Sequence, residues 1–596
     1  PPSLRSRAIS WLGRSLTVAV ACSALPSAAF GQGPGPQGPI PNIPPTWPLS
    51  PYSTHDWTSQ TDSALLAEVW VDTKTPGDGR TYSVGTVLAT NVDSRAGSLN
   101  LPTFSGVSIL SPTTLAPASY TTQGAKAVVV LQCATPPSAL FPEGIVWQRF
   151  FFGNPPNFGG TQNNFVGMSC HARAVSVFPG TTPTSTRIAI CGETYDQSLP
   201  GDNFQRTNYG ATGGIVGGFL AVYDGDGNVL WSQLYSGSDP LNATTITDVS
   251  IRTESVSTSS GTVLRDVVTF CGMTQCGYYY NPGISTPGRI LAHNAFLPPP
   301  AHPQGHATVA GGATHNGLSQ TSQSSEWDGL IGRVWQNRAG YPSGSGTDFF
   351  CLVGGAFQDG LFGIAEVSAD RFVVVGSTAK LRGASGTAEF PLTKWSTFND
   401  TPTTPPFNSF NQPWFQFGTL LEFDATATRS NGNLLLLRSE LLGSKGHSSV
   451  ARDVLAQGDN IFVVGSTDDP NFCTPFQMGS TQQIDGPIDG FLIATHAQHA
   501  IAAATYVTGS DSGYTDELVG VAGWNEFEDH VVVMGRQRTS TGSEDVFAAK
   551  LFLDTTAGTY TAGAPTDLEL LRTLVLPGTG KEVIAEIPTN LFSGQA

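Results

Sequence analysis

The chain has 596 residues, a net charge of −17 and only 13% charged side chains. It is too apolar to stay unfolded and too acidic to suit nucleic acid or an anionic membrane. With 68 Gly, 42 Pro and no long run of apolar residues at helical spacing, it reads as many short strands joined by turns, not as a helical bundle.

Arg5, Arg7 and Arg14 give a basic start, and Leu16–Phe30 (LTVAVACSALPSAAF) gives an apolar stretch. Ala29–Gln32 is a small-residue cleavage site, completing an export signal over residues 1–31. The apolar stretch is too short for an ordinary membrane-spanning helix. Cleavage leaves 26 basic and 46 acidic residues, about −20. A secreted or cell-surface protein is expected. Residues 32–60 form a Pro/Gly-rich linker, and 61–596 one repetitive domain.

In that domain a four-part unit recurs. The first unit reads ALLAEVWVD, TYSVGTV, AKAVVVLQC and IVWQRFFFG; the second HARAVSVF, RIAICGET, GGFLAVYD and VLWSQLYSG. The third reads TTITDVSI, VVTFCGMT, WDGLIGRVW and DFFCLVGG; the fourth FGIAEVSA, RFVVVGST, FGTLLEFD and LLLLRSELLG. The fifth reads SVARDVLA, NIFVVGST, DGFLIATH and AAATYVTG; the sixth ELVGVAGW, HVVVMGRQ, DVFAAKLFL and LELLRTLVLPG. KEVIAEIP (Lys581–Pro588) starts a seventh. Each run is β-rich, and every second part closes on a glycine: Gly85, Gly192, Gly272, Gly376, Gly465 and Gly535.

A lone four-stranded sheet would leave apolar faces in water, whereas sheets packed radially bury both. The expected fold is therefore all-β, a β-propeller of four-stranded antiparallel blades. Six full units plus part of a seventh give six or seven blades. A seven-bladed ring needs sequence beyond Ala596, so a fragment is expected.

The stretches DGFLIAT, TYVTG, HVVVMGRQ and DVFAAKLFLD, together with DGDGNVLWSQLYSG, resemble the bacterial seven-bladed β-propeller repeat (SBBP) family over about residues 61–590. The resemblance implies a secreted or surface-exposed propeller and no particular reaction. Long insertions in units one, three and four depart from the family pattern. Its Gly-Asn turn survives clearly only in unit two.

Matching the first strands by apolar pattern puts Glu68, Ala174, Asp248, Glu366, Asp453, Gly520 and Glu586 at one level around the expected axis. Converging carboxylates at Glu68, Asp248, Glu366, Asp453 and Glu586 would call for a counter-ion, calcium being the natural choice. The alternative is that each accepts backbone N–H groups of the next unit. A one-residue slip in the match would flip every side chain. Asp224, Asp226 and Asn228 alternate as a calcium loop begins. Val229 and Tyr235 stand where such a loop needs Gly and Glu, so a hairpin turn is the better reading.

Trp395 and Trp414 flank an insertion in unit four and are candidate ligand-binding aromatics. Trp147 and Trp231 recur at one place in the fourth strand, which argues for core. His293, His302, His306 and His315 cluster in the Pro/Gly-rich insertion of unit three, where a solvated loop is the plainer reading than a metal site. Cys191 and Cys271 read as small buried residues, with a local Cys271–Cys276 disulfide as the other option. No nucleophile elbow, zinc-binding helix motif or phosphate-binding loop occurs. The expected function is a non-enzymatic binding or structural module of the cell envelope. It would be a monomer contacting an extracellular protein or carbohydrate through rim insertions. The alternative is a polysaccharide hydrolase or lyase acting at the channel mouth.

Overall fold

The computed structural model describes residues 69–576, less the longer inter-strand segments, which include 89–107, 111–125, 152–169, 200–215, 298–326 and 379–415. Glu68, Glu586, Trp395, Trp414, Cys276 and the four clustered histidines lie outside the described residues.

The architecture is all-β. Six antiparallel four-stranded meanders follow one another in chain order, each running first, second, third, fourth. Sheet I comprises Val69–Lys74, Arg80–Leu88, Lys126–Ala134 and Ile145–Phe151. Sheet II comprises Cys170–Phe178, Arg187–Thr194, Gly217–Asp224 and Val229–Tyr235. Sheet III comprises Thr244–Thr258, Gly261–Thr274, Asp328–Asn337 and Ser345–Val353. Sheet IV comprises Asp359–Glu366, Arg371–Thr378, Phe417–Asp424 and Leu434–Leu442. Sheet V comprises Ser449–Gln457, Asn460–Thr467, Asp489–His496 and Ile501–Val507. Sheet VI comprises Thr515–Gly523, His530–Arg538, Glu544–Leu553 and Leu568–Leu576. These match the six units read from the sequence. Two short strands add in parallel at outer edges: Ser108–Leu110 beside the fourth strand of sheet I, and Phe296–Leu297 beside that of sheet IV. Among the described residues the only helical turn is 3-10, at Pro183–Ser185.

One irregularity repeats in all six sheets. The first strand bulges, skipping Val71, Arg173, Thr247, Phe362, Arg452 and Val519 in the register. The residue just before each bulge lies opposite the recurrent glycine: Trp70 and Gly85, Ala172 and Gly192, Ile246 and Gly272, Leu361 and Gly376, Ala451 and Gly465, Leu518 and Gly535. The glycine is thus the partner of the bulge, and not simply a strand end. A Cβ on Gly192, Gly272, Gly376 or Gly465 would overlap a first-strand carbonyl oxygen, that of His171, Thr245, Gly360 or Val450. The bulge adds local twist, and the missing side chain lets the two backbones close on each other.

Both faces of the inner sheets are buried because each sheet packs on the next. Leu220 and Val222 of sheet II join Val249, Ile251, Val268 and Phe270 of sheet III. Ile331, Phe349 and Cys351 of sheet III join Leu361, Phe372, Leu421 and Phe423 of sheet IV. Sheets IV and V share Val373, Val375 and Leu420 with Val454, Val463 and Phe491. Sheets V and VI share Phe462, Val464 and Leu492 with Leu518, Val531 and Phe547. At the first seam, Phe151 of sheet I meets Phe219 and Tyr223 of sheet II, with ring centroids 5.2 and 6.3 Å apart. Cys191 and Cys271 are buried in these layers, as small packing residues. Trp147 and Trp231 are core, each opposite a third-strand residue just before that strand's own register shift. Among the described residues no helix is long and apolar enough to cross a membrane.

Candidate functional site

The bulges fix which acids are equivalent. The residues just past them are Asp72, Ala174, Asp248, Gly363, Asp453 and Gly520. Asp248 and Asp453 therefore do stand at one level with Ala174 and Gly520. Glu366 does not, because Gly363 holds that place, three residues earlier. Asp72 holds the corresponding place in sheet I, four residues past Glu68. Apolar pattern alone cannot see a bulge, so the sequence match drifted in ALLAEVWVD and FGIAEVSA, where a glutamate offered itself in place of the residue just past the bulge.

Asp248 and Asp453 act as clips. One oxygen of Asp248 accepts the N–H of Val249 at 2.7 Å, and the other accepts that of Ile364, in sheet IV, at 2.7 Å. Asp453 likewise accepts Val454 N–H at 2.7 Å and Val521 N–H, in sheet VI, at 2.9 Å. In both cases the clipped amide follows a glycine, Gly363 or Gly520. A Cβ on Gly363 would come 3.0 Å from the Cα of Asp453, so the small residue also gives room for the next sheet. Along the chain, aspartate and a small residue alternate at this position. Among the described residues no three His, Cys, Asp or Glu side chains converge as a metal-holding group.

The Asp224–Asn228 turn is equally occupied. Asp224 is buried, and it accepts the N–H groups of Asp226 at 3.0 Å and Asn228 at 2.8 Å, with the Asn228 amide on its other oxygen at 3.0 Å. Gly227 supplies the left-handed residue at φ 78°. The turn's carbonyls point at sheet I: Gly225 accepts from the Trp147 indole at 2.9 Å, Asp226 and Gly227 from the Arg149 guanidinium at 3.0 Å. Asp226 and Asn228 are exposed. The turn is a hairpin docked on its neighbour.

The densest polar cluster among the described residues lies at the seam of sheets III and IV. The first strand of sheet III places Arg252 and Glu254 on the face toward sheet IV, opposite Val267 and Arg265. Glu366 is its hub. It pairs with Arg252, accepts the Thr269 hydroxyl at 2.9 Å, and lies 3.8 Å from Arg333. Glu254 pairs with Arg265, whose guanidinium lies 4.8 Å over the half-buried Trp335 ring, and approaches Arg252 at 3.5 Å. Arg333 is 0% exposed. Its Nε donates to Thr269 at 3.0 Å, and it lies against the stacked rings of Phe349 and Phe372. Burial pushes the Arg333 guanidinium down to about 10, the neighbouring Arg252 charge adding to this and Glu366, Asp348 and Asp370 opposing it. Sequence reading missed Arg333, since nothing local marks a buried arginine in a β-rich run.

A second buried ionic group crosses from sheet IV to sheet V. Arg371 pairs with Glu422, and Arg438 donates to Glu440 at 2.9 Å and to Thr495 at 3.0 Å. Burial pushes the Glu440 carboxyl up, against the pull of Arg438. Asp328, Asp359, Asp489 and Asp516 are also buried, at strand starts along the III/IV and V/VI seams. Sequence reading singled none of them out; Asp328 and Asp489 stood inside the strand runs WDGLIGRVW and DGFLIATH.

No protein-family model matches the chain, and no curated protein matches it. Among solved structures it is similar to a Mycobacterium tuberculosis puromycin-hydrolyzing peptidase, at 8% identity and a TM-score of 0.25. That match covers 86% of this chain and 54% of the peptidase. A likeness of this size carries no argument about fold or activity.

Proposed function

We propose that this chain is a secreted or cell-surface β-propeller of the bacterial repeat type, serving as a binding or structural module of the cell envelope. The regularity of its seams supports the reading. Each sheet adds to the last through the same bulge, the same facing glycine and the same apolar layer. Constant steps of this kind turn successive sheets about their first strands, as blades turn about an axis. From sheet I to sheet V the longest connection joins second to third strand, and the described strand ends that these segments join lie at the same end of each sheet. The segment carrying Trp395 and Trp414 is one of them. The contact surface for an envelope protein or carbohydrate is assigned there.

Two measurements test this. Electron microscopy of the purified chain reads the ring directly: a disc with a central hole supports it, an open arc or rod refutes it. Incubation with insoluble extracellular polysaccharide is scored for retention and for new reducing ends. Retention without cleavage, lost when residues 379–415 are replaced by a short Gly-Ser linker, is the expected result. A hydrolase is the second reading, favoured by Glu254 and Glu366 sharing Arg252, with Trp335 under Arg265, the other partner of Glu254. New reducing ends that vanish in Glu366→Gln would select it.

A further inference from the structure

The first hairpin of sheet III is longer than its counterparts. Its strands run 15 and 14 residues, against 8 or 9 in the equivalent strands of sheets II, IV, V and VI. The excess is about six residues per strand; the third strand reaches Asn337, opposite Arg265, so residues 255–258 and 261–264 extend past it by roughly 13 Å. A free two-stranded ribbon is marginal in water. This one is braced at its root on both faces. Toward sheet IV stand the Arg252–Glu366 and Glu254–Arg265 pairs. Toward sheet II, Asp266 pairs with Arg187 at 2.6 Å and with Arg338 at 2.7 Å, and accepts the Thr253 hydroxyl at 3.0 Å.

Past that root the ribbon changes character. Residues 255–264 carry no charge, in a chain of net −17. Ser255, Ser257, Thr258, Ser259 and Thr262 are exposed. Among the described residues the first strand pairs only with the second, and no strand of them lies along its other, open edge. The direction of its amides follows from the strand below. Ile251 N–H donates away from the second strand, to Ser176 at 3.1 Å. By alternation, the N–H and C=O of Ser255 and Ser257 face the open edge too. Charges, prolines and bulges usually guard such an edge, and Ser255–Thr258 has none of them.

We propose that this edge pairs, antiparallel, with the same edge of a second copy of the chain. An isologous contact needs a self-complementary patch. The Ser-Val-Ser segment meets that need: around a two-fold axis at Val256, Ser255 of one copy faces Ser257 of the other. Elsewhere two strongly acidic molecules repel, and the uncharged tip is where they approach at least cost. The mode is also one the chain uses on itself, where short strands add to the edges of sheets I and IV. So short a ribbon buries less than a stable interface needs, which makes the dimer weak and reversible.

Sedimentation equilibrium of the full chain tests this over roughly 10 µM to 1 mM, the range of a weak contact. The weight-average mass is expected to rise toward the dimer. Ser257→Pro is expected to hold it at the monomer while leaving the melting temperature unchanged, because the lost N–H points away from the sheet. Cysteine placed singly at 255, 256 and 257 should give an intermolecular disulfide at the residue on the two-fold, where Cα atoms face at about 4.5–5.5 Å. Thr262→Cys, on the other strand, is the control. A constant monomer mass, a dimer that survives Ser257→Pro, or crosslinking no better than Thr262→Cys would each overturn the proposal.

Discussion

Replacing Asp453 by alanine removes one carboxylate and two acceptors at once. Val454 N–H and Val521 N–H lose partners at 2.7 and 2.9 Å, and Val521 is 0% exposed. Hydrogen bonds to charged groups contribute about 1.5–3 kcal/mol each, and a buried orphan amide costs about 1–3 kcal/mol. Asp453 is itself only partly buried, so water replaces part of each bond and the expected loss falls below that sum, at about 2–4 kcal/mol. The loss should be local. Exchange of the Val521 amide, read by hydrogen–deuterium exchange, should speed up roughly 30- to 1000-fold. The Ile364 amide, held by Asp248, should keep its protection. Asp453→Asn retains one acceptor and should fall about midway. Unchanged Val521 exchange in Asp453→Ala would refute the clip, and equal loss at Ile364 would show a global effect instead.

Gly465→Ala should cost about 3 kcal/mol or more by urea unfolding, since its Cβ has nowhere to go but into the Val450 carbonyl. At the III/IV seam, Arg333→Met should be near neutral, because Glu366 keeps Arg252 and Thr269, whereas Glu366→Ala should cost about 3 kcal/mol by stranding buried guanidinium groups. The Glu440 carboxyl is raised in the folded state, so it carries no penalty below the unfolded value near 4.3 and a growing one as pH rises above it. The advantage of Glu440→Gln over the native chain in urea midpoint should therefore widen from pH 4 to pH 7; an advantage that shrinks over this range would contradict the assignment.

The sheets were legible in the sequence because strand runs and their glycines recur. DGFLIATH, RFVVVGST and NIFVVGST are third and second strands as read. What each glycine does was not legible, because its reason lies in the first strand, one bulge away. The acids were half legible. Asp248 and Asp453 were aligned correctly, and their alternative role, accepting the next unit's amides, is the geometry found. Glu366 was displaced by three residues because FGIAEVSA offers no mark for its bulge except Gly363 itself. Arg333 meets Thr269 and Glu366, 64 and 33 positions away, and no local spacing could reveal them; Arg438 has Glu440 two residues along its own strand, but its Thr495 contact lies in the next sheet.

The alternation of aspartate and a small residue has a consequence for how such a chain can grow. The true period at this position is two sheets, although the strand pattern repeats every sheet. Duplicating or deleting one sheet would set aspartate beside aspartate, with two carboxylates competing for one space, or small beside small, with an amide left unclipped. Adding or removing sheets in pairs keeps every clip matched. Lineages of this chain that differ in length should therefore differ by even numbers of sheets, or show a repaired residue at the odd join.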